Sequence, residues 1–419
     1  MEIQWSKRRY YYYMARQIIA GIDIGTSLIK VVIAEGIVEH GHVVPKIIGT
    51  GSNESRGVYR GYITNQTEAA KSVEVAVRRA EKIAGVKVRR AYVSFGGIGL
   101  GSVAVNGSVI ISRADLEITE RDMALALEAA ETAIPPAAII NKRIINTVPI
   151  EYKIDGKAVW GQALGLKAQK LEVKALFITC LEHHLADLIS TVEAVGIEVA
   201  DVVASPVALS LVTLSKKQKR VGCLLADIGA ETLSVVVFEN NNLLSLEVFP
   251  IGGDDITNDI ALGLKISPED AESVKLGLER RITYPRKKLE EIVSARLKDY
   301  FELIEAHLKL IGRNALLPAG IILAGGGASI ANIKSIAENS LKLPSQIAEV
   351  YFGPPAQASN TTEGKMKDRA WAVACGLSIV GFNTDDVERS IGIRNGALIR
   401  EGGKRWGRVI SRWISQFLP

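Results

Sequence analysis

Apolar residues run almost unbroken from Ile18 to Ile33, and polar atoms enter only at Asp23, at the Gly25-Thr26-Ser27 turn and at Lys30. The stretch GIDIGTSLIKVVI, residues 21–33, predicts a buried strand, a tight turn and a returning strand within residues 17–34. The pattern returns as LLADIGAETLSVVVF, residues 224–238, with Asp227 standing 204 positions after Asp23. Between and after these repeats the periodicity alternates between strand and helix. Residues 49–65 read as a loop rich in Gly, Ser and Asn, and residues 67–84 as a helix. RRAYVSFGG reads as a strand ending in a glycine turn. The block 102–173 has another texture: strand, a helix over 119–132, a break at Pro135-Pro136, then a strand pair in RIINTVPIEYKIDG. KLEVKALFIT is a core strand, EHHLADLISTVEAVG a helix with a glycine stop, and GIEVADVVASPVALSLVTL a strand followed by a helix. Asn240 to Asn242 mark a hairpin turn. Residues 256–317 are mainly helical, GIILAGGGASI is a buried strand entering a triple-glycine turn, and RAWAVACGLSIVG is a helix of small residues.

The chain therefore reads as a duplication of α/β type, each half opening on strand, Asp-Ile-Gly and strand. Duplicated α/β halves hold a ligand in the crevice between them, at the loops that follow the strands. With 419 residues, more than one core is expected. A composition 47% hydrophobic and 23% charged is that of a globular chain. Cys180, Cys223 and Cys375 are dispersed among apolar runs, which excludes a disulfide framework or zinc site and points to core thiols in a reducing cytosol. The net charge of +5 is modest, and no broad basic stripe with interleaved aromatics is present, so nucleic acid is not an expected partner. There is no signal-peptide pattern and no apolar run long enough to span a bilayer. Residues 1–16, with the run Tyr10 to Tyr13, read as a disordered extension ahead of the fold.

The repeated turn suits phosphate chemistry. Gly25 lets the backbone approach an anion closely, and the N–H and hydroxyl groups of Thr26 and Ser27 can donate to it. Lys30 adds a point charge from the returning strand. Asp227 and Gly229 repeat the arrangement from the other half. Asp23 and Asp227 at strand ends would hold magnesium through its water shell. Gly325, Gly326 and Gly327 would lie against an adenosine, where side chains would clash. His183 and His184, neighbours on one helix, point about 100° apart and do not easily chelate together.

Two phosphate loops and an adenosine loop match the actin/Hsp70/sugar-kinase ATPase superfamily. GSNESRGVYRGYITN, VPIEYKIDG, IGGDDITNDIALGLKISPEDAESVK and AGIILAGGGASI further resemble segments of the bacterial cell-division FtsA family, and the likeness extends from Ile18 to Pro419. The resemblance implies a duplicated actin-like ATPase fold with an FtsA-type 1C subdomain insert and a C-terminal amphipathic helix. It implies subdomain 1A at 17–101 and 174–200, 1C at 102–173, 2A at 201–255 and 319–380, and 2B at 256–318. A linker over 381–403 and a membrane-targeting helix over 404–419 follow. ATP and magnesium would be the ligands, with Ala230, Glu231, Thr232 and Gly253 joining the second loop. Glu272 and Lys275 match positions that contact the adenosine. The family also implies self-polymers, the C-terminal peptide of FtsZ bound through 2B, and other division proteins bound through 1C. The place of action would be the cytoplasmic face of the membrane at the division site.

The tail carries its own pattern. Trp406, Val409, Ile410, Trp413, Ile414, Phe417 and Leu418 recur at steps of three and four and form one helical face, with Arg405, Arg408 and Arg412 on the other. A helix of about 22 Å at 1.5 Å per residue is too short to span a bilayer but suits its surface, where anionic lipid would attract the arginines.

Two departures bear on chemistry. The family's second loop is typically D-I-G-G-G-T, whereas here Glu231 stands within D-I-G-A-E-T. Its carboxylate would come near the phosphates unless it turns away or joins the metal shell. Ser205, in VASPVALS, occupies the position at which Hsp70-like ATPases carry a glutamate near the attacking water, so hydrolysis would at most be slow. Two other readings share the superfamily: a PilM-like scaffold of a type IV pilus system, and a small-molecule kinase. The amphipathic tail argues against the first, and the lack of a catalytic-Asp motif against the second.

Overall fold

A computed structural model describes residues 17–39, 42–159, 163–278, 284–352 and 369–390. The extension 1–16, the tail 404–419 with all its proposed lipid-facing residues, and the linker beyond Ser390 lie outside the described residues. The first half opens with β1 (Gln17–Ile24), β2 (Leu28–Glu39), β3 (His42–Glu54), a short hairpin of β4 (Val58–Tyr59) and β5 (Tyr62–Ile63), helix α1 (Gln66–Ala84) and β6 (Arg90–Phe95). An inserted block follows: β7 (Gly101–Ile110), α2 (Glu120–Thr132), the single turn α3 (Pro136–Ile139), β8 (Lys142–Ile154), β9 (Lys157–Val159) and β10 (Lys170–Leu181). Then come α4 (Glu182–Glu193), β11 (Glu198–Ala204), α5 (Ser205–Thr213) and α6 (Lys216–Val221). The second half holds β12 (Cys223–Ile228), β13 (Leu233–Glu239), β14 (Asn242–Phe249), α7 (Gly253–Leu264), α8 (Pro268–Lys275), α9 (Arg286–Leu310), β15 (Ile321–Ala324), α10 (Ile333–Leu341), β16 (Ser345–Ile347) and α11 (Ala372–Ser390).

The duplication is visible in the sheets. A five-stranded sheet runs β11-β6-β1-β2-β3, with β1 antiparallel to β2 and parallel to β6. In the second half β12 is likewise antiparallel to β13 and parallel to β15. The near-continuous apolar run of β12 reflects burial on both faces. Leu224, Ala226 and Ile228 face a core shared with α7, α9 and α10, while Cys223 and Leu225 face the core of the first half. Asp227 continues the second set, which turns its carboxylate toward the first half. The turn after β13 puts Asn240 and Asn241 at φ +53° and +63°, the left-handed pair that a two-residue hairpin needs.

Several expected boundaries fall inside elements. Residues 49–54 belong to β3, not to a loop. Their glycines are there for the helix: a Cβ on Gly51 would lie 2.1 Å from the Ala76 carbonyl oxygen of α1. The boundary at 173/174 falls inside β10, and that at 200/201 falls inside β11, which belongs to the first sheet. The strands of the insert join the second-half strands in one nine-stranded order, β16-β15-β12-β13-β14-β7-β10-β8-β9, stitched at the single pair Glu247 and Gly101. Helix α11 runs to Ser390, past the position where the linker was expected. It also crosses back to the first half and packs on α5 and β1, with Val373, Ala374, Cys375 and Leu377 in the first core. All three cysteines are buried. Among the described residues no helix is long and apolar enough to cross a membrane.

Candidate functional site

The two strand–turn–strand loops, the start of α7, helix α8 and the glycine turn after β15 enclose a cavity of about 370 Å³. Asp23, Gly25, Thr26, Ser27 and Lys30 line it from the first half, and Asp227, Gly229, Ala230, Thr232 and Gly253 from the second. Glu272, Lys275 and the three glycines 325–327 complete the set that the sequence singled out. Glu231 alone of that set does not line the cavity. Its carboxylate turns away and accepts the backbone N–H of Arg60 at 2.5 Å.

The first loop carries its own compensation. Asp23 accepts a hydrogen bond from the Ser94 hydroxyl at 2.8 Å and lies 3.7 Å from the Lys30 ammonium. Ser94, at the end of β6, also receives the Ile24 N–H at 3.2 Å. In the matching second loop, the Asp227 carboxylate has no hydrogen bond or ion pair among the described residues. Burial, then the charge of Asp23, push its carboxyl up to about 6, and Lys30 opposes the shift. That turn is braced from outside: the carbonyls of Gly229 and Ala230 accept the first N–H groups of α7, from Gly253 and Asp254, each at 2.8 Å. Asp254, also in the cavity wall, is raised by burial, against the pull of Lys275.

Glu272 and Lys275, three apart on α8, meet at 2.5 Å. Thr257 of α7 holds the pair: it donates to Glu272 at 2.5 Å and accepts from the Lys275 ammonium at 2.7 Å. Lys275 further donates to the Gly253 carbonyl at 3.0 Å. In the glycine turn, two of the three glycines are already required by the protein's own packing. A Cβ on Gly325, at φ +78°, would lie 2.4 Å from an Asp227 oxygen, and one on Gly327 would lie 2.3 Å from Ile228. Those two glycines clear the neighbouring strand of the protein itself. Only Gly326 faces open space, with nothing within 4 Å.

Sequence reasoning missed Ser94, Thr257, Gly61, Ser329 and Arg369 as part of this site. Ser205 lies in the wall beside Gly96, so no carboxylate stands at that position. His183 and His184 come together more closely than their helical offset predicts. With Asp187 they bring one ligand atom each within 4.8 Å, because the two rings meet edge to face at 4.4 Å. His183 lies 3.6 Å from Asp187, and His184 stacks on Tyr62 at 3.5 Å.

Two α/β halves, each presenting a strand-turn-strand loop to a shared cavity, define the actin-like fold. Among solved structures, that of the "PilM-PilN type IV pilus biogenesis complex" superposes with a TM-score of 0.60 at 16% identity, over 87% of this chain and 98% of that one. The ethanolamine utilization protein EutJ from Carboxydothermus hydrogenoformans gives 0.50 at 14% identity, over 87% and 89%. Sequence comparison resolves the family. The profile described as "Cell division protein FtsA" matches residues 224–376, and that described as "SHS2 domain inserted in FTSA" matches residues 97–179. Cell division protein FtsA of Bacillus subtilis is 30% identical over 80% of this chain and 79% of its own length. The Pseudomonas aeruginosa protein of that name is 27% identical over 93% and 97%, and that of Escherichia coli K12 25% over 83% and 86%. The chain belongs to the FtsA family of cell-division proteins.

Proposed function

We propose that the chain is an ATP-binding membrane adaptor that polymerises and tethers the FtsZ ring to the inner face of the cytoplasmic membrane during division. The observation that carries the nucleotide part is the pair of Asp-x-Gly loops facing each other across one cavity, with backbone and hydroxyl donors on both sides. Magnesium fits the donor set: Asp227 is a half-buried cavity-wall carboxylate without a side-chain partner among the described residues, close enough to Asp23 to feel its charge. Asp23 and Asp227 would hold the ion through water, and it would supply charge neutralisation for the phosphates. Thr26, Ser27, Lys30 and Thr232 would donate to the phosphates. Glu272 and Lys275, set in place by Thr257, would take the adenosine side, with Gly326 as the open surface. Hydrolysis would be slow, since Ser205 offers no carboxylate to activate water.

Membership of a family of cell-division proteins supports the adaptor part, as does the two-faced sequence of residues 404–419. The FtsZ peptide would bind the helical region 256–318, and the insert would contact the next protomer or other division proteins. Co-sedimentation with anionic liposomes tests the tethering. Wild type should pellet, with a gain in Mg-ATP from filament formation, and Trp413→Glu should stay in solution. If both stay in solution, the tail does not anchor the protein and a scaffold of the pilus type becomes the better reading.

A further inference from the structure

The hairpin β4–β5 turns through Arg60 and Gly61, at φ +48° and +77°. It is fixed to the first half on three sides. The Arg60 carbonyl accepts the Ile98 N–H at 3.2 Å, and Gly61 packs so closely on Gly97 that a Cβ would lie 2.4 Å from its Cα. Tyr62 stacks on His184 of α4 at 3.5 Å. The tip of the hairpin reaches the other half. Its Arg60 N–H donates to Glu231 in the second loop at 2.5 Å, in a partly buried setting. That loop is in turn bonded to the start of α7, and Gly61, next to the donor, lines the cavity.

We infer that Glu231 is a positioning residue: a built-in anion that ties the two halves together beside the cavity and holds the hairpin and second loop in place before nucleotide enters. The inference rests on the nucleotide reading above. A hydrogen bond from a backbone N–H to a carboxylate is charge-assisted and gains strength where water is partly excluded. Glutamate is long enough to leave the tight turn and span the gap; the turn residues Ala230 and Thr232 on either side of it remain in the cavity wall. On the nucleotide reading above, the ligand's phosphates would bridge the two loops. Here one bridge is part of the chain, so the cleft is held closed without ligand and a bound nucleotide leaves slowly.

The test uses the full chain and two readouts. The first is amide hydrogen exchange across residues 58–63 in the nucleotide-free protein. The second is the release rate of a fluorescent methylanthraniloyl-ATP with magnesium. Glu231→Ala should speed exchange about tenfold, the loss expected for one charge-assisted bond. Glu231→Gln, which keeps an acceptor oxygen but not the charge, should restore part of the protection. Arg60→Asn keeps the N–H, tolerates positive φ and should leave exchange unchanged. Release should quicken roughly fivefold in Glu231→Ala and return toward wild type in Glu231→Gln. Unchanged exchange in Glu231→Ala overturns the inference, as does faster exchange with unchanged release. If no form binds nucleotide, wild type included, the nucleotide reading fails instead, and the exchange measurement still decides whether the tie exists.

Discussion

At the end of β1, Asp23 has a hydroxyl donor and a lysine paired with it; at the matching end of β12, the Asp227 carboxylate is bonded to neither among the described residues and feels Lys30 only through its charge. The ladder positions make the contrast plain, since Asp23 pairs with Lys30 across its hairpin and Asp227 with Ser234. One repeated backbone thus carries two electrostatic designs. The first carboxylate is neutralised by its own half, whereas the second leaves its charge to be met by whatever enters the cavity. That is the arrangement expected where a cation completes the site rather than the fold.

The strongest way to break this contrast is Asp227→Asn. The variant should bind Mg-ATP about a hundredfold more weakly, read by equilibrium titration. Its nucleotide-free form should nevertheless be more stable than wild type at neutral pH, by about 1 kcal/mol in thermal melts. The gain is smaller than the raised carboxyl alone would give, because the group keeps some contact with water. Lys30→Met attacks the other side. It removes the cation next to Asp23 and, among the described residues, the charge that holds Asp227 down. We expect about tenfold weaker nucleotide binding and a loss of about 1 kcal/mol in stability.

The finest probe is pH. Asp227 sits at about 6 against an ordinary 3.8, so the folded chain holds this proton more tightly than the unfolded chain. Its contribution favours the fold below the ordinary value, declines as pH rises between the two, and is flat above about 6. Nucleotide-free wild type minus Asp227→Asn, compared by denaturant titration, should show that decline and no slope above it. Magnesium affinity should run the other way and fall as pH drops through the same range.

How much of this was legible in the chain follows from sequence distance. Asp23, Gly25 and Lys30 lie within one short stretch, and so do Asp227, Gly229 and Thr232, so local pattern alone exposes both loops. Glu272 and Lys275 became visible through the family likeness, and Thr257, which orders them, sits on a separate helix with nothing in its neighbourhood to mark it. Ser94 meets Asp23 across 71 positions and Arg60 meets Glu231 across 171, separations over which periodicity carries no information. Residues 49–54 read as a loop because glycine in a strand looks like a turn until the helix packed on it is known. The destination of α11 was hidden for a similar reason. Its small residues announce close packing, but not that the partners are α5 and β1 of the other half.

The three thiols offer a use of their own. Cys180 in β10, Cys223 in β12 and Cys375 in α11 are each fully enclosed, and burial pushes every one of them up to about 12. A folded molecule therefore presents almost no thiolate to an alkylating reagent at neutral pH. Each sulfur reports when its own strand or helix comes loose, and mass spectrometry can read the three separately. The chain thus carries three native clocks for local opening, one on a strand of the insert, one at the start of the strand that leads to the second loop and one on the helix that returns to the first half.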